Sequence, residues 1–276
     1  MCSHWARGTW GGRSSARGTS GGSAAATVES YVRKDRYPAS PPRSLDPDYR
    51  HPLLLERIEK LNADLLCLQE LDASVYATLE ARLQATHHSA YAERRGRGEG
   101  SAIFARRSIL RWSPQRELHY DAHRPGHDDL ALIATLELQG QPLEVAVTHL
   151  TWQPDETPTA EHLGRRQLLE LLEHRDQTSP KAIWLFAGDF NALPQSVVLK
   201  TALERGMAES CLAQRPWDTC AINGRPRKID YLLYSAGRLS PKPGVLPKLR
   251  RDSVLPSLTE PSDHLPLQVD FTLANV

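Results

Sequence analysis

The sequence lacks the features that would place it in a membrane, in a disulfide-stapled secreted scaffold or among strongly basic nucleic-acid binders. Its four cysteines, Cys2, Cys67, Cys211 and Cys220, form no CxxC pair, which removes the usual zinc-ribbon and thioredoxin-type motifs. Cys67 lies in the apolar run Leu65–Leu68, where a reduced thiol packs as a small hydrophobe, so a reducing, cytosolic compartment is expected. No apolar run approaches the length of a bilayer span, and the start, MCSHWARGTW, has no apolar signal core; no membrane association is expected. Lys and Arg number 34 against 33 Asp and Glu, a formal charge of +1. Without a global positive field, a nucleic-acid partner must be held by local patches. No internal repeat indicates a solenoid.

What is present suffices for one large domain, because 276 residues of which 40% are hydrophobic can bury a sizeable core. Residues 1 to about 26 are rich in Gly, Ser, Arg and Ala without apolar periodicity. They are expected to form a disordered tail, since such a segment cannot bury enough surface to offset its ordering entropy, leaving 27–276 as the domain. Its glycines argue against the amphipathic helix of an organelle transit peptide. A monomer is the expected state.

Past the proline-rich stretch 38–47, Leu53, Leu54, Ile58 and Leu61 recur at helical spacing ahead of the apolar run LLCLQ, which reads as a helix followed by a buried strand. Further helices are expected over about 73–85, 160–174 and 195–205. Strands are expected at 101–105, 130–138, 143–148, 182–187, 229–235 and 267–273, and Gln-Gly-Gln-Pro at 139–142 signals a hairpin with Pro142 at a strand end. This order does not alternate strand and helix regularly. Two sheets packed face to face with helices outside fit better than a doubly wound sheet or a TIM barrel.

The apolar strands repeatedly end in groups able to hold a metal or a phosphate: Glu70 after LLCLQ, His149 after VAVT, Asp189 and Asn191 after WLFAG, Asp230 after Arg-Lys-Ile, and Asp263 with His264 just before the last strand. Singly, each has an ordinary alternative. Glu70 is a solvated strand end, Asp189 and Asn191 are turn formers, His149 a core histidine, Asp230 a partner of Lys228, Asp263 a cap or turn residue. Together on one sheet edge, four carboxylates would repel unless a cation joined them. An oxygen-rich donor set suits Mg²⁺, or Mn²⁺, better than Zn²⁺.

Their joint order resembles a known family. LQE (68–70), THL (148–150), GDFN (188–191), IDY (229–231) and SDH (262–264) follow the motif series of endonuclease/exonuclease/phosphatase proteins, and LLCLQE, GEGSAIFARRS, GDFNALPQS, KIDYLLYS and PSDHLPL look most like its CCR4-like deadenylase and nocturnin branch. The resemblance implies a four-layered α/β sandwich, two mostly antiparallel sheets flanked by helices, with the site at one edge. It further implies Glu70 as principal metal ligand with Asp263 close by, Asp189 orienting or deprotonating the attacking water, and Asn191 binding the scissile phosphate while positioning Asp189. His264, paired with Asp230, would stabilise phosphoryl charge, and His149 would make a second phosphate contact. The implied activity is metal-dependent hydrolysis of nucleic-acid phosphodiesters, in RNA or DNA, with a 3′-exonuclease on RNA as the leading form. A phosphomonoesterase on a nucleotide or inositol phosphate, and a non-catalytic binding protein, are the alternatives.

Two departures from the family pattern stand out. Relatives begin with a strand carrying an Asn, whereas this chain has Ala near position 25, so the first strand is expected to be missing or replaced. Asp129 stands where relatives commonly show Asn; facing the site it would oppose phosphate binding, and facing solvent it would do nothing. Basic clusters occur at Arg94, Arg95 and Arg97, at Arg106 and Arg107, at Arg225, Arg227 and Lys228, and at Lys248, Arg250 and Arg251; most such runs are solvated surface, but at least one could contact backbone phosphates, and Trp152 could stack a base, although a Trp is more often packed in the fold.

Overall fold

The computed structural model describes residues 5–10, 21–25, 32–95, 97–211, 218–222, 224–245 and 248–274. In chain order they form β1 (Trp5–Trp10), β2 (Gly21–Ala25), α1 (Pro47–Leu61), β3 (Leu65–Leu71), α2 (Ala73–Leu83), β4 (His87–Arg94), β5 (Glu99–Arg106), β6 (Leu110–Trp112), β7 (Arg116–His119), β8 (Leu130–Leu138) and β9 (Gln141–His149). There follow α3 (Leu163–Thr178), β10 (Ile183–Asp189), α4 (Val197–Glu204), β11 (Met207–Glu209), β12 (Cys220–Ile222), β13 (Arg225–Arg227), β14 (Asp230–Ser235), β15 (Leu239–Pro243) and β16 (Pro266–Leu273). The first sheet runs β15-β16-β1-β2-β3-β5-β4 and the second β11-β14-β10-β9-β8-β6, with β7 also on β8 and a separate β12-β13 hairpin. Among the described residues, pairing is parallel only between β1 and β16, β2 and β3, and β9 and β10.

Alternation along the strands produces the layers. Leu65 and Cys67 of β3 join Leu132, Val145, Val147, Leu185 and Leu232 of the second sheet in the core between the sheets. Leu66 and Leu68 point the other way, onto Leu54, Ile58 and Leu79 of α1 and α2. Trp184 and Phe186 of β10 likewise meet Leu168, Leu171 and Leu172 of α3. The result is the four-layered sandwich expected, and β3, covered on both faces, is why its sequence is continuously apolar. No helix among the described residues is long and apolar enough to cross a membrane. Cys67, Cys211 and Cys220 are buried free thiols, and burial pushes all three thiol pKa values up.

Local chemistry sets the element ends. The Asp46 carboxylate accepts from the Asp48 N–H at 3.0 Å and Pro47 opens α1, in the first turn, where its missing N–H costs little. Pro142 pairs with Glu137 of β8, while β10 begins alongside Leu143, so its missing donor falls at the strand end as expected.

The expectation of a disordered tail through residue 26 fails for two stretches, because β1 and β2 lie within the first sheet between β16 and β3. The composition argument weighed apolar burial, but a vacant place between two strands also supplies backbone partners, which any sequence can use. The first strand is thus replaced rather than missing at this position: β2 runs parallel to β3 with Ala25 opposite Gln69, one residue before Glu70. The other residues of the expected tail, and Cys2, lie outside the described residues.

Candidate active site

Three adjacent strands of the second sheet deliver three polar residues in a row. Asp189, the last residue of β10, is in register with His149 at the end of β9 and with Asp230 at the start of β14. Gly188 makes that row possible. Its φ is +150°, and a Cβ there would meet the Thr148 carbonyl oxygen at 1.8 Å, so no side chain fits between β10 and β9. The Asn191 N–H donates to Asp189 Oδ1; Asn191 itself adopts a left-handed φ of +49°, which Asn tolerates. Its amide Nδ2 lies 3.0 Å from His149 Nε2 and donates to the Leu150 carbonyl at 2.9 Å.

The first sheet contributes from across the sandwich. Between Leu68 and Leu71 the β3–β5 register shifts by one residue, and Glu70, inside that bulge, has a φ of +51°. A bulge re-aims a side chain, and a left-handed non-glycine residue is the kind of strained backbone found at functional sites. Glu70, Glu99 at the start of β5, and His149 are all buried, with candidate ligand atoms within 4.8 Å of one another. His149 Nδ1 lies 3.4 Å from Glu70 Oε1, and its Nε2 lies 3.6 Å from Asp189 Oδ2, so this ring links the two sheets.

Arg94, at the end of β4, donates from Nη1 to Glu99 Oε1 at 3.0 Å and from Nη2 to Asp129. Burial works against its charge, but the Glu99 and Asp129 carboxylates outweigh it and raise its pKa. Glu99 itself is pushed up, chiefly by burial. Asp129 is held below the usual carboxylate range, burial being outweighed by Arg94 and by hydrogen bonds. Of the two outcomes considered for Asp129, it faces inward, with Arg94 meeting its charge.

A second pair completes the centre. His264 Nδ1 lies 2.8 Å from Asp230 Oδ2, and both residues are buried. The Tyr37 hydroxyl donates to Asp263 Oδ2 at 2.9 Å. Cys220 pairs with His264 across an isolated bridge; burial, then Asp230, Asp263 and Asp189, raise its thiol pKa, which places these three acids around it.

Glu70, Glu99, Asp129, Asp189, Asp230 and Asp263 are six buried carboxylates, each at most 1% exposed. Arg94 alone cannot balance them, and so many close acids require a further cation or protons. Glu99 Oε2 is buried without a hydrogen-bond partner among the described residues. Two carboxylates and an imidazole therefore fit a divalent ion, with Glu70, Glu99 and His149 as its holders.

Of the residues singled out from sequence, Glu70 and His149 share this trio, Asp189 and Asn191 adjoin it through His149, and Asp230, His264 and Asp263 cluster around Cys220. Lys228 is not the partner of Asp230; it pairs with Glu209 at 3.0 Å. Arg94 is not a solvated cation, and Arg106 serves the fold, donating to Asp64 at 2.6 Å. Arg95 is exposed, and Trp152 is 51% exposed rather than packed. Sequence reasoning missed Glu99, although it shows the same signal as Glu70, an acid bordering an apolar strand, and missed Tyr37, for which there was no signal.

A sheet edge gathering buried acids, histidines and an Asn on a four-layered sandwich defines a class of phosphoester-processing folds. The profile of the endonuclease/exonuclease/phosphatase family matches residues 20–264, and the chain belongs to that family. Within it, the likeness is to the CCR4-like and nocturnin branch. Nocturnin of Rattus norvegicus is 29% identical over 269 residues, covering 87% of this chain and 62% of that protein. The 2′,5′-phosphodiesterase 12 of Mus musculus is 26% identical over 301 residues, covering 87% and 48%. The chain thus spans about half to three-fifths of these relatives' length. Among solved structures, ANGEL2, a 2′,3′-cyclic phosphatase, in complex with adenosine-2′,3′-vanadate, superposes with a TM-score of 0.73 at 20% identity, covering 98% of this chain and 95% of the other.

Proposed function

We propose that the chain is a divalent-metal-dependent phosphodiesterase acting on nucleic acid, with Mg²⁺ as its ion and Mn²⁺ as a substitute. The observation that carries this reading is the row His149–Asp189–Asp230 on one sheet facing the acids Glu70 and Glu99 of the other through His149. When bound, the ion supplies Lewis acidity toward the phosphoryl and leaving oxygens. Glu70 and Glu99 would hold it, with Asp263 close to that site.

Asp189 takes the proton of the attacking water, its Oδ1 fixed by the Asn191 N–H so that the carboxylate is oriented before substrate arrives. With Nδ1 held on Asp230, the His264 ring is fixed so that Nε2 can be presented to a phosphoryl oxygen. Asn191 reaches the scissile phosphate by turning its amide away from Leu150. Trp152 and Arg95 at the rim suit a single strand, base on ring and phosphate on guanidinium. Three buried free thiols among the described residues suit a reducing, cytosolic compartment.

Purified protein with Mg²⁺ is to be incubated with labelled poly(A), single-stranded DNA, an abasic duplex and nucleotide 2′- and 3′-phosphates. Turnover of a polymer supports the phosphodiesterase reading. Turnover of the monophosphates alone replaces it with the phosphomonoesterase, and binding without turnover, unaffected by Glu70→Ala, favours a non-catalytic protein.

A further inference from the structure

Arg94 reaches two walls at once. Its side chain is only 6% exposed; Nη1 donates to Glu99 Oε1 at 3.0 Å and lies 3.3 Å from His149 Nδ1, touching two members of the three-residue metal cluster. Nη2 is taken by Asp129. That carboxylate is itself fixed: its Oδ2 accepts from the Thr151 hydroxyl at 2.8 Å and from the Gln167 amide at 3.1 Å. Gln167 is anchored in turn, donating to the Ala122 carbonyl at 2.7 Å and accepting from the Thr151 N–H at 2.8 Å. A planar guanidinium gripped on one side by so rigid a carboxylate has little freedom on the other.

Charge points the same way. Arg94 already places a fixed positive charge against two of the six buried carboxylates, Glu99 and Asp129. A second divalent ion would have to sit beside an immovable like charge in a poorly screened interior. We propose that Arg94 is a positioning residue that holds Glu99 and His149 in ligating geometry, is itself held by Asp129, and takes the place of a second ion, so that this centre binds one divalent cation. The inference rests on the metal-dependent reading above but needs no substrate.

The test is direct Mn²⁺ binding to the purified full chain, by the electron paramagnetic resonance of free Mn²⁺, with melting curves run on each variant. Wild type is expected to take one tight ion. In R94M/D129N both charges leave together and Glu99 and His149 lose their guide, so the Mn²⁺ Kd is expected to rise tenfold or more. R94K keeps the charge without the fork and is expected to weaken binding several-fold; it decides the matter if the double variant does not fold. A merely structural Arg94 predicts instead that any variant melting like wild type binds Mn²⁺ like wild type. That result, or two tight ions in wild type, overturns the proposal, and no uptake at all overturns it together with the metal-dependent reading. One ion with the expected variant pattern, but no phosphodiester hydrolysis, would support Arg94's role while removing the proposed activity.

Discussion

At Asp189 a single carboxylate is asked to be both rigid and basic. Its Oδ1 accepts the Asn191 N–H, and its Oδ2 lies 3.6 Å from His149, so it is oriented by backbone on one side and by an imidazole on the other. Asp189→Asn keeps the shape and removes the basicity; hydrolysis is expected to slow by about 10²–10⁴-fold in single-turnover assays, and a rate near wild type would take Asp189 out of the mechanism. The candidate site residues that stood out from sequence were those ending apolar strands; singly each had an ordinary alternative, and only their joint order pointed to a site. Arg94 was visible only as one member of a basic cluster, not as a buried partner of Glu99 and Asp129. In Glu-Arg-Arg-Gly-Arg-Gly it reads as solvated, and its partner Asp129 is 35 positions away, a distance only the fold closes.

The strand β10 and its neighbours show what an element can and cannot announce. Gly188→Ala forces a methyl against the Thr148 carbonyl, with 1.8 Å available and a φ of +150°. The expected loss is about 3 kcal/mol in chemical denaturation, near the upper end for overpacking, with activity falling further as β9 and β10 separate. A variant as stable as wild type would mean the two strands can part without cost. The long apolar runs, β3, β8, β9, β10 and β16, were legible because both faces or one whole face are buried. Strands β4, β6, β7 and β15 were not. They carry His, Arg or Pro and alternate with exposed residues, so their placement depends on the neighbour each pairs with rather than on their own sequence. The same holds for β2, whose Gly-Gly-Ser-Ala-Ala carries no strand signal at all.

Across the whole molecule, acid sensitivity follows from buried imidazoles. His87 is buried, with Nε2 3.0 Å from the Ala63 carbonyl and Nδ1 2.8 Å from the Thr86 hydroxyl. Burial lowers its pKa, and those of His162 and His174. A group whose pKa is depressed on folding contributes stability above its unfolded value, about 6.5 for His, and loses it as pH falls through the folded value. The melting temperature is therefore expected to hold above pH 6.5 and to drop below it. His87→Gln, which keeps a donor toward Ala63, should flatten that drop; an unchanged slope would show that His87 does not titrate with unfolding. His119 works in the opposite sense, raised by Asp128, but it lies on the surface and its share is screened.

The bulged Glu70 hangs from one sheet and His149 from the other, 3.4 Å apart. A cation seated between such holders would act as a clasp across the seam, binding only the closed sandwich and so tightening the very stack of layers that presents it.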